Sequence, residues 1–319
     1  MSRAALAIAT VCALTGLGAA GLSAGSPGGS QPPRSGPPFA VGEEHLTFVD
    51  RTRTISVRGQ PPRPRTLTTI IRYPARGPAG RFDLRDARPD RAAGPFPLIV
   101  FGHGFAVTPG TYFRLLRAWA QAGYVVAAPV FPLENAHAPG GPDESDLVNQ
   151  PRDMSVVISD MLAADHAAHS LLQGTITPQR IAVSGQSDGG ETALAVAYDR
   201  FYRDPRVGAA VILSGAQIPG SGSLLSGPPL LATQGTADTV NDPRNTYGFF
   251  GVAHRPKYLL RLIGAPHLPP YTIEQPQLTI VERVTTAFLD RYLKGARSGP
   301  ERMRAAGNRR GLAVLTAAP

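Results

Sequence analysis

Short, wholly apolar runs alternate with amphipathic stretches along the middle of the chain. Apolar runs of about four to eight residues are typical of strands buried on both faces, and apolar residues three or four positions apart are typical of helices. The pattern predicts buried strands at residues 97–101, 124–129, 180–184, 207–213, 229–234 and 258–263. It predicts helices at residues 112–122, 154–164, 191–198 and 277–292. Repeated strand and helix units predict a mostly parallel sheet with helices on both faces.

The regions on either side of this core are more polar. Residues 45–49 and 66–73 alternate apolar with polar side chains, which predicts two further strands and about eight in total. Residues 131–150 carry Pro, Gly and Asp and are expected to be a loop, and residues 296–319 are expected to be a loose tail. Because no domain-sized insertion interrupts the pattern, we expect one α/β domain over residues 39–295 without a large cap.

The N-terminus has the pattern of an export signal. Arg3 is followed by an apolar run over residues 4–20 and then by small residues, which predicts a secretory signal peptide at residues 1–24. An uncleaved membrane anchor is the alternative reading, which glycines within the run disfavour. Residues 25–38 are expected to be a flexible lead. We therefore expect a secreted or extracytoplasmic protein with no stable membrane span after signal cleavage.

Composition excludes several classes of function. The one cysteine is Cys12, so a cleaved protein has no disulfide, no cysteine nucleophile and no thiolate metal ligand. The net charge is +9, but the arginines are dispersed. Nucleic-acid binding usually gathers basic residues on one helix or stripe with interleaved aromatic residues. The composition therefore predicts a charged surface and no nucleic-acid partner.

A glycine-rich turn lies between the predicted strand at 180–184 and the predicted helix at 191–198. Its sequence from Gly185 to Gly190 is G-Q-S-D-G-G, and it places Ser187 between Gly185 and Gly189. In a strand–turn–helix context this pattern is typical of a nucleophile elbow, whose strained turn projects a serine hydroxyl. The alternative is a glycine-rich turn with an incidental serine. The flanking elements favour Ser187 as a nucleophile.

A second glycine-rich loop follows the predicted strand at 97–101. It reads Gly102, His103, Gly104 and Phe105. Such a loop can direct a backbone N–H at an oxyanion, so we predict the oxyanion donors as the N–H groups of Phe105 and Asp188. His103 and Gly104 are expected to shape the loop, because chain order disfavours His103 as the catalytic base.

The remaining two catalytic residues are expected after later strands. Asp238 follows the strand at 229–234, and His267 follows the strand at 258–263. The order Ser, Asp, His is the order of this fold, and it predicts Asp238 as the acid that orients His267, the base. Asp242 is the competing acid, and an ordinary loop or capping role is the alternative for Asp238.

These residues predict a serine hydrolase that cleaves carboxylic esters. His267 takes the proton from Ser187, the serine attacks the carbonyl, Asp238 holds the imidazole, and water then releases the acyl-enzyme. The mechanism needs no metal and no organic cofactor. The expected partner is a small-molecule, lipid or polyester ester, and the protein is expected to be a monomer.

Four motifs resemble those of secreted bacterial α/β hydrolases. They are H-G-F after a strand, G-Q-S-D-G-G, G-T-A-D-T-V and G-A-P-H-L, within residues 45–295. The sequence is similar to dienelactone-hydrolase-like proteins, platelet-activating-factor acetylhydrolases and cutinases, with D-T-V and G-A-P-H most like the cutinases. The resemblance implies the α/β-hydrolase fold and ester hydrolysis, and it places Phe105 where cutinases have an aromatic residue beside the scissile ester.

The sequence also departs from these relatives. Dienelactone hydrolases have a cysteine at the position of Ser187, and cutinases usually have a tryptophan where this chain reads G-A-Q-I-P-G.

Two other functions remain as alternatives to ester hydrolysis. One is a serine peptidase or amidase on the same fold, although no propeller or cap segment is present. The other is a non-catalytic binding protein on a hydrolase scaffold.

Overall fold

A computed structural model describes residues 38–57, 59–221 and 223–319. The predicted signal peptide and residues 25–37 of the predicted lead lie outside the described residues. In the described part of the chain the strands, in chain order, are β1 (Ala40–Ile55), β2 (Arg63–Ala75), β3 (Leu84–Arg85), β4 (Phe96–Gly102), β5 (Val125–Pro129), β6 (Ile176–Gln186), β7 (Val207–Leu213), β8 (Leu230–Gly235), β9 (Lys257–Leu262) and β10 (Ala313–Ala318).

The strands form a single sheet in the order β10-β9-β8-β7-β6-β4-β5-β2-β1-β3. Its central part, from β5 to β9, is parallel. The long β1–β2 hairpin pairs antiparallel with β5 on one side, and β10 pairs antiparallel with β9 on the other. The predicted mostly parallel sheet is confirmed, with ten strands in place of the expected eight or so.

Helices cover both faces of this sheet. They are α1 (Phe113–Gln121), α2 (Gln150–His166), α3 (Asp188–Tyr198), α4 (Pro243–Val252), α5 (Gln277–Leu293) and α6 (Gly299–Gly307). Buried side chains of α2, α3 and α4 pack on one face, and those of α1, α5 and α6 pack on the other. Every residue of β4 is buried, because helices exclude water from both of its faces.

The C-terminal segment corrects the prediction of a loose tail over residues 296–319. It forms α6, packed against α5, and then β10, which pairs with β9 in a continuous register from Ala313 opposite Leu262 to Ala318 opposite Lys257. Met303 is fully buried. The segment has five arginines, and most of its apolar residues are alanines, so its few large anchoring side chains did not stand out in the sequence. The α/β domain therefore continues past residue 295.

A buried ion network connects the β1–β2 hairpin to the loop that follows β5. Arg65 on β2 is almost fully buried. It donates to Asp146 Oδ1 at 2.8 Å and to Asp153 Oδ1 at 2.7 Å. Asp146 lies in a short 3₁₀ helix, Glu144–Asn149, inside the stretch that the sequence predicts as a loop. The contacts of Arg65 with Asp146 and Asp153 therefore fix the position of this part of the loop.

Candidate active site

Ser187 lies in the sharp turn between β6 and α3. Its backbone has φ 56° and ψ −125°, a left-handed φ that is costly for a residue with a side chain and that persists only where its surroundings enforce it. The Ser187 N–H donates to the Leu213 carbonyl on β7 at 3.0 Å, which holds the turn against the neighbouring strand. The local geometry is that of the predicted elbow.

The predicted glycines lie where backbone segments approach each other. A Cβ on Gly185 would collide with the carbonyl of Gly189, and one on Gly189 would collide with the carbonyl of Gly102. A Cβ on Gly104 would lie 3.1 Å from the Ser187 Cβ. The turn and the loop after β4 therefore pack backbone against backbone at Ser187, which only glycine permits.

Asp238 and His267 meet at the same edge of the sheet. The loop after β8 carries Asp238, the loop after β9 carries His267, and His267 Nδ1 lies 2.7 Å from Asp238 Oδ2. The Asp238 side chain is fully buried, and that of His267 is about one-eighth exposed at 13%. This is the arrangement in which a carboxylate fixes the tautomer of an imidazole and stabilises its cation.

The hydrogen bonds of Asp238 stabilise its ionised form. Burial raises the pKa of Asp238, but hydrogen bonds from His267 and from the N–H groups of Asn241 and Val240 outweigh burial and lower the pKa below its usual value. Gln234 Nε2 donates to Oδ2 as well, at 3.0 Å. Asp242, the competing acid in the sequence, is instead the exposed N-cap of α4, where it accepts from the Arg244 N–H at 2.8 Å.

Gln186 connects the imidazole to the elbow. Its Nε2 lies 3.1 Å from His267 Nε2 and 3.2 Å from the His267 carbonyl, and its Oε1 accepts from the Tyr112 hydroxyl at 2.7 Å. An amide nitrogen can only donate, so His267 Nε2 is the acceptor and Nδ1 carries the proton that is donated to Asp238. The imidazole is therefore held in the tautomer of a general base, beside the residue that precedes Ser187.

The Ser187 hydroxyl has a different partner in this structure. Its Oγ donates to Asp188 Oδ1 at 3.4 Å, and within the described residues it makes no hydrogen bond with His267 Nε2. In enzymes without bound substrate, such catalytic hydrogen bonds are often long, and they shorten only when substrate binds. The structure therefore brings Asp238, His267 and Gln186 into direct contact, and Ser187 directly follows Gln186 in the chain.

The two predicted oxyanion donors have free N–H groups. Asp188 is the first residue of α3, where an N–H has no acceptor within the helix. In the loop after β4, the Gly104 N–H bonds the Tyr112 hydroxyl and the Ala106 N–H bonds the Glu134 carbonyl. Within the described chain the N–H of Phe105, between them, makes no hydrogen bond. Both N–H groups are available to an anionic oxygen.

His103 fastens this loop from within the core. It is fully buried, its Nε2 accepts from the Phe131 N–H at 3.0 Å, and its Nδ1 lies 2.8 Å from the Gly104 carbonyl. Burial lowers the pKa of His103 to about 4, so the ring is neutral at neutral pH. These contacts link the loop after β4 to the segment after β5.

Sequence reasoning missed several side chains of the site. Gln186, Gln234 and Tyr112 carry no motif of their own. Asn241 is a further case, because its Nδ2 donates to the Ser214 carbonyl at 2.7 Å and its N–H donates to Asp238. These residues act through contacts between loops that are distant in sequence, so no local pattern marks them.

The described residues contain neither a metal-binding cluster nor a membrane-spanning helix. Among residues 38–57, 59–221 and 223–319, no three His, Cys, Asp or Glu side chains are placed to hold a metal ion together. Within the same ranges, no helix combines the length and the apolar character that a bilayer crossing requires.

The parallel sheet, the strained turn before α3 and the glycine-lined loop after β4 define the α/β-hydrolase fold. Comparison with known proteins agrees. The family model described as Chlorophyllase matches residues 84–214. Chlorophyllase-2 of Arabidopsis thaliana is 25% identical over 138 residues, which cover 43% of this chain and 40% of that protein.

The matched region is less than half of either protein, and it covers only part of the site. It contains the loop after β4 and Ser187, and it ends before Asp238 and His267. At this coarse level the matches support a hydrolase of ester substrates within the α/β-hydrolase superfamily. The narrower resemblance to secreted bacterial dienelactone-hydrolase-like proteins and cutinases remains a prediction.

Proposed function

We propose that this protein is a serine carboxylic-ester hydrolase that acts through Ser187, His267 and Asp238. His267 Nε2 accepts the Ser187 proton, and the serine oxygen attacks the ester carbonyl. The N–H groups of Asp188 and Phe105 bind the resulting oxyanion, and His267 returns the proton to the departing alcohol. Water then attacks the acyl-enzyme with His267 again as base.

The observation that carries this proposal is the tautomer of His267, which is defined by the hydrogen bonds of its two ring nitrogens. Its Nδ1 bonds Asp238 at 2.7 Å, and its Nε2 accepts from Gln186, the neighbour of Ser187. A base with its proton-accepting nitrogen at the elbow is the central requirement of acyl transfer by a serine. A binding protein on this scaffold has no need for a buried carboxylate behind an imidazole.

Exposed apolar side chains support an apolar substrate. Phe105, Val240, Ile263 and Ile273 are exposed and belong to the loops that follow β4, β8 and β9, at the sheet edge that carries the site. We propose esters with a large apolar group, and the similarity to chlorophyllases makes chlorophyll one ester to test. The described chain shows no inserted cap or propeller domain, which favours esters over peptides.

Replacement of the nucleophile tests the proposal. We expect wild-type protein to hydrolyse p-nitrophenyl butyrate faster than aminoacyl anilides and to be labelled covalently by a fluorophosphonate probe. The S187A variant is expected to lose both activities, with S223A, from the loop after β7, as the matched control. Labelling of folded S187A, or a folded wild-type protein without labelling, would refute the serine mechanism.

We also propose export of the protein through residues 1–24, on the basis of their sequence pattern. N-terminal sequencing of protein recovered from the culture medium tests this. The expected result is a mature chain that begins close to residue 25. A protein that stays in the cells with Met1 intact would contradict it.

A further inference from the structure

The loop after β5 brings a second carboxyl group to the nucleophile elbow. Glu134 is fully buried, and its carbonyl accepts from the Ala106 N–H at 2.9 Å, which ties it to the loop after β4. Its carboxyl group lies close enough to that of Asp188 for the two to interact. Asp188 in turn accepts from the Ser187 hydroxyl.

Three of the four carboxyl oxygens of this pair have no hydrogen-bond donor among the described residues. Both Glu134 oxygens and Asp188 Oδ2 are buried, and no donor from the described residues reaches them. Ionised carboxylates only accept hydrogen bonds, so two of them can bond to each other only through a proton. A proton between Glu134 and Asp188 Oδ2 would give these buried oxygens a donor and leave Asp188 Oδ1 to Ser187.

We propose that Glu134 is a positioning residue of the catalytic site, which holds one proton shared with Asp188 and thereby orients the Asp188 carboxylate and limits the charge beside the oxyanion pocket. This proposal rests on the proposed function. The shared proton keeps the pair at one negative charge. Without it, two adjacent anions would repel each other and the oxyanion that forms at the Asp188 N–H.

The surroundings favour retention of this proton. Burial, and secondarily the hydrogen bond and charge of Asp188, raise the pKa of Glu134 to about 10. Other titratable groups near the pair include Asp146 and Glu144 in the 3₁₀ helix, Glu191 on α3, the Tyr112 hydroxyl and the neutral His103 after β4. The nearby cation, Arg65, is bound to Asp146 and Asp153 and does not neutralise the pair.

A pH profile separates this pair from the triad. Loss of the shared proton predicts a decline in activity at high pH, which the proposed roles of Ser187, His267 and Asp238 do not by themselves predict. With the pKa of Glu134 at about 10, kcat/KM at pH 11 is expected to be about tenfold below its plateau if the doubly charged pair is inactive.

Three variants test the role of Glu134. In E134Q the amide still donates to Asp188 but cannot lose its proton, so we expect kcat within about threefold of wild type at pH 7.5 and no alkaline decline. In E134L the donor is removed, and we expect kcat to fall at least tenfold with little change in KM. E144Q removes a nearby exposed carboxylate and is expected to keep the wild-type profile, decline included.

A spectroscopic measurement keeps this test independent of catalysis. Infrared spectra at pH 9.5, above the pKa of about 8 of Glu191, are expected to show the C=O stretch of a buried protonated carboxyl group in wild type and in inactive S187A, and not in E134Q. An alkaline decline that persists in E134Q, or that disappears in E191Q instead, would overturn the proposal, as would an unchanged band in E134Q. If the serine mechanism fails, S187A keeps its activity while the band still reports on the pair.

Discussion

Substitution of Asp238 by asparagine is the sharpest test of the catalytic arrangement, because its effect can be worked out atom by atom. In the wild type, Oδ1 accepts from the N–H groups of Val240 and Asn241, at 3.0 and 2.9 Å. Oδ2 accepts from Gln234 Nε2 and His267 Nδ1. An asparagine therefore keeps its carbonyl on the two N–H groups and turns its amide toward Gln234 and His267.

The new amide group is a hydrogen-bond donor at a position where His267 Nδ1–H needs an acceptor. It can only donate to His267 Nδ1, so the proton moves to Nε2 and the base can no longer accept from Ser187. The cation that forms during attack also loses its counter-charge. At 2.7 Å and an effective dielectric constant of about 20, that attraction is worth about 6 kcal/mol, which corresponds to about four powers of ten in rate.

We therefore expect kcat/KM of D238N to fall by 10³- to 10⁴-fold, with little change in KM. The assay is p-nitrophenyl butyrate hydrolysis at pH 8, together with the rate of fluorophosphonate labelling and a circular dichroism spectrum to verify folding. D242N, which changes the exposed N-cap of α4 four residues away, is expected to keep activity within about twofold. A folded D238N with more than one-tenth of wild-type activity would refute the role of Asp238.

Three further predictions concern stability, each measured by urea unfolding. The G185A substitution is expected to lower the free energy of unfolding by about 2 kcal/mol or more, because its Cβ meets the Gly189 carbonyl. The control G248A lies in open space on α4 and is expected to raise the free energy of unfolding by about 0.5–1 kcal/mol. Equal effects of the two substitutions would contradict the close packing at the elbow. Removal of residues 308–319 is expected to cost at least about 2 kcal/mol, because it exposes β9 and the site of Leu315; an unchanged midpoint would restore the loose-tail prediction. The pKa of His103 lies at about 4 when folded and near 6.5 when unfolded, so the unfolded chain binds more protons between these values. Stability should fall by up to about 3 kcal/mol as the pH drops from 6.5 to 4, and a folded H103Q that shows the same decline would contradict this assignment.

The sequence predicts the centre of this fold well because buried parallel strands have a distinctive composition. The strand at residues 207–213 is observed with the predicted bounds. Most other predicted strands and helices differ by a few residues at their ends. The elbow is recognisable because a glycine-flanked serine lies between a strand and a helix, where steric exclusion leaves few alternatives.

The parts that sequence reasoning missed depend on contacts between distant segments. The helix α4 buries only Thr246 and Phe249, and its N-cap is Asp242, which the sequence offered as a competing acid. The C-terminal strand β10 is stabilised mainly by pairing with β9, a register that no local pattern encodes. At the site, Gln186 and Glu134 act through contacts made across loops, so their partners become known only when the chain is folded.

The Arg65 network has a consequence for how substrate preference could change in evolution or by design. It anchors one end of the loop after β5 in the interior, while Asn135 secures the other by donating to the Phe131 carbonyl at 2.8 Å. The stretch between these anchors, residues 136–145, is largely open to solvent. Insertions and replacements there leave both anchors in place, and the Ala136 N–H, which donates to the Val107 carbonyl at 3.2 Å, joins this stretch to the loop after β4. We therefore expect it to tolerate the changes that would graft new selectivity.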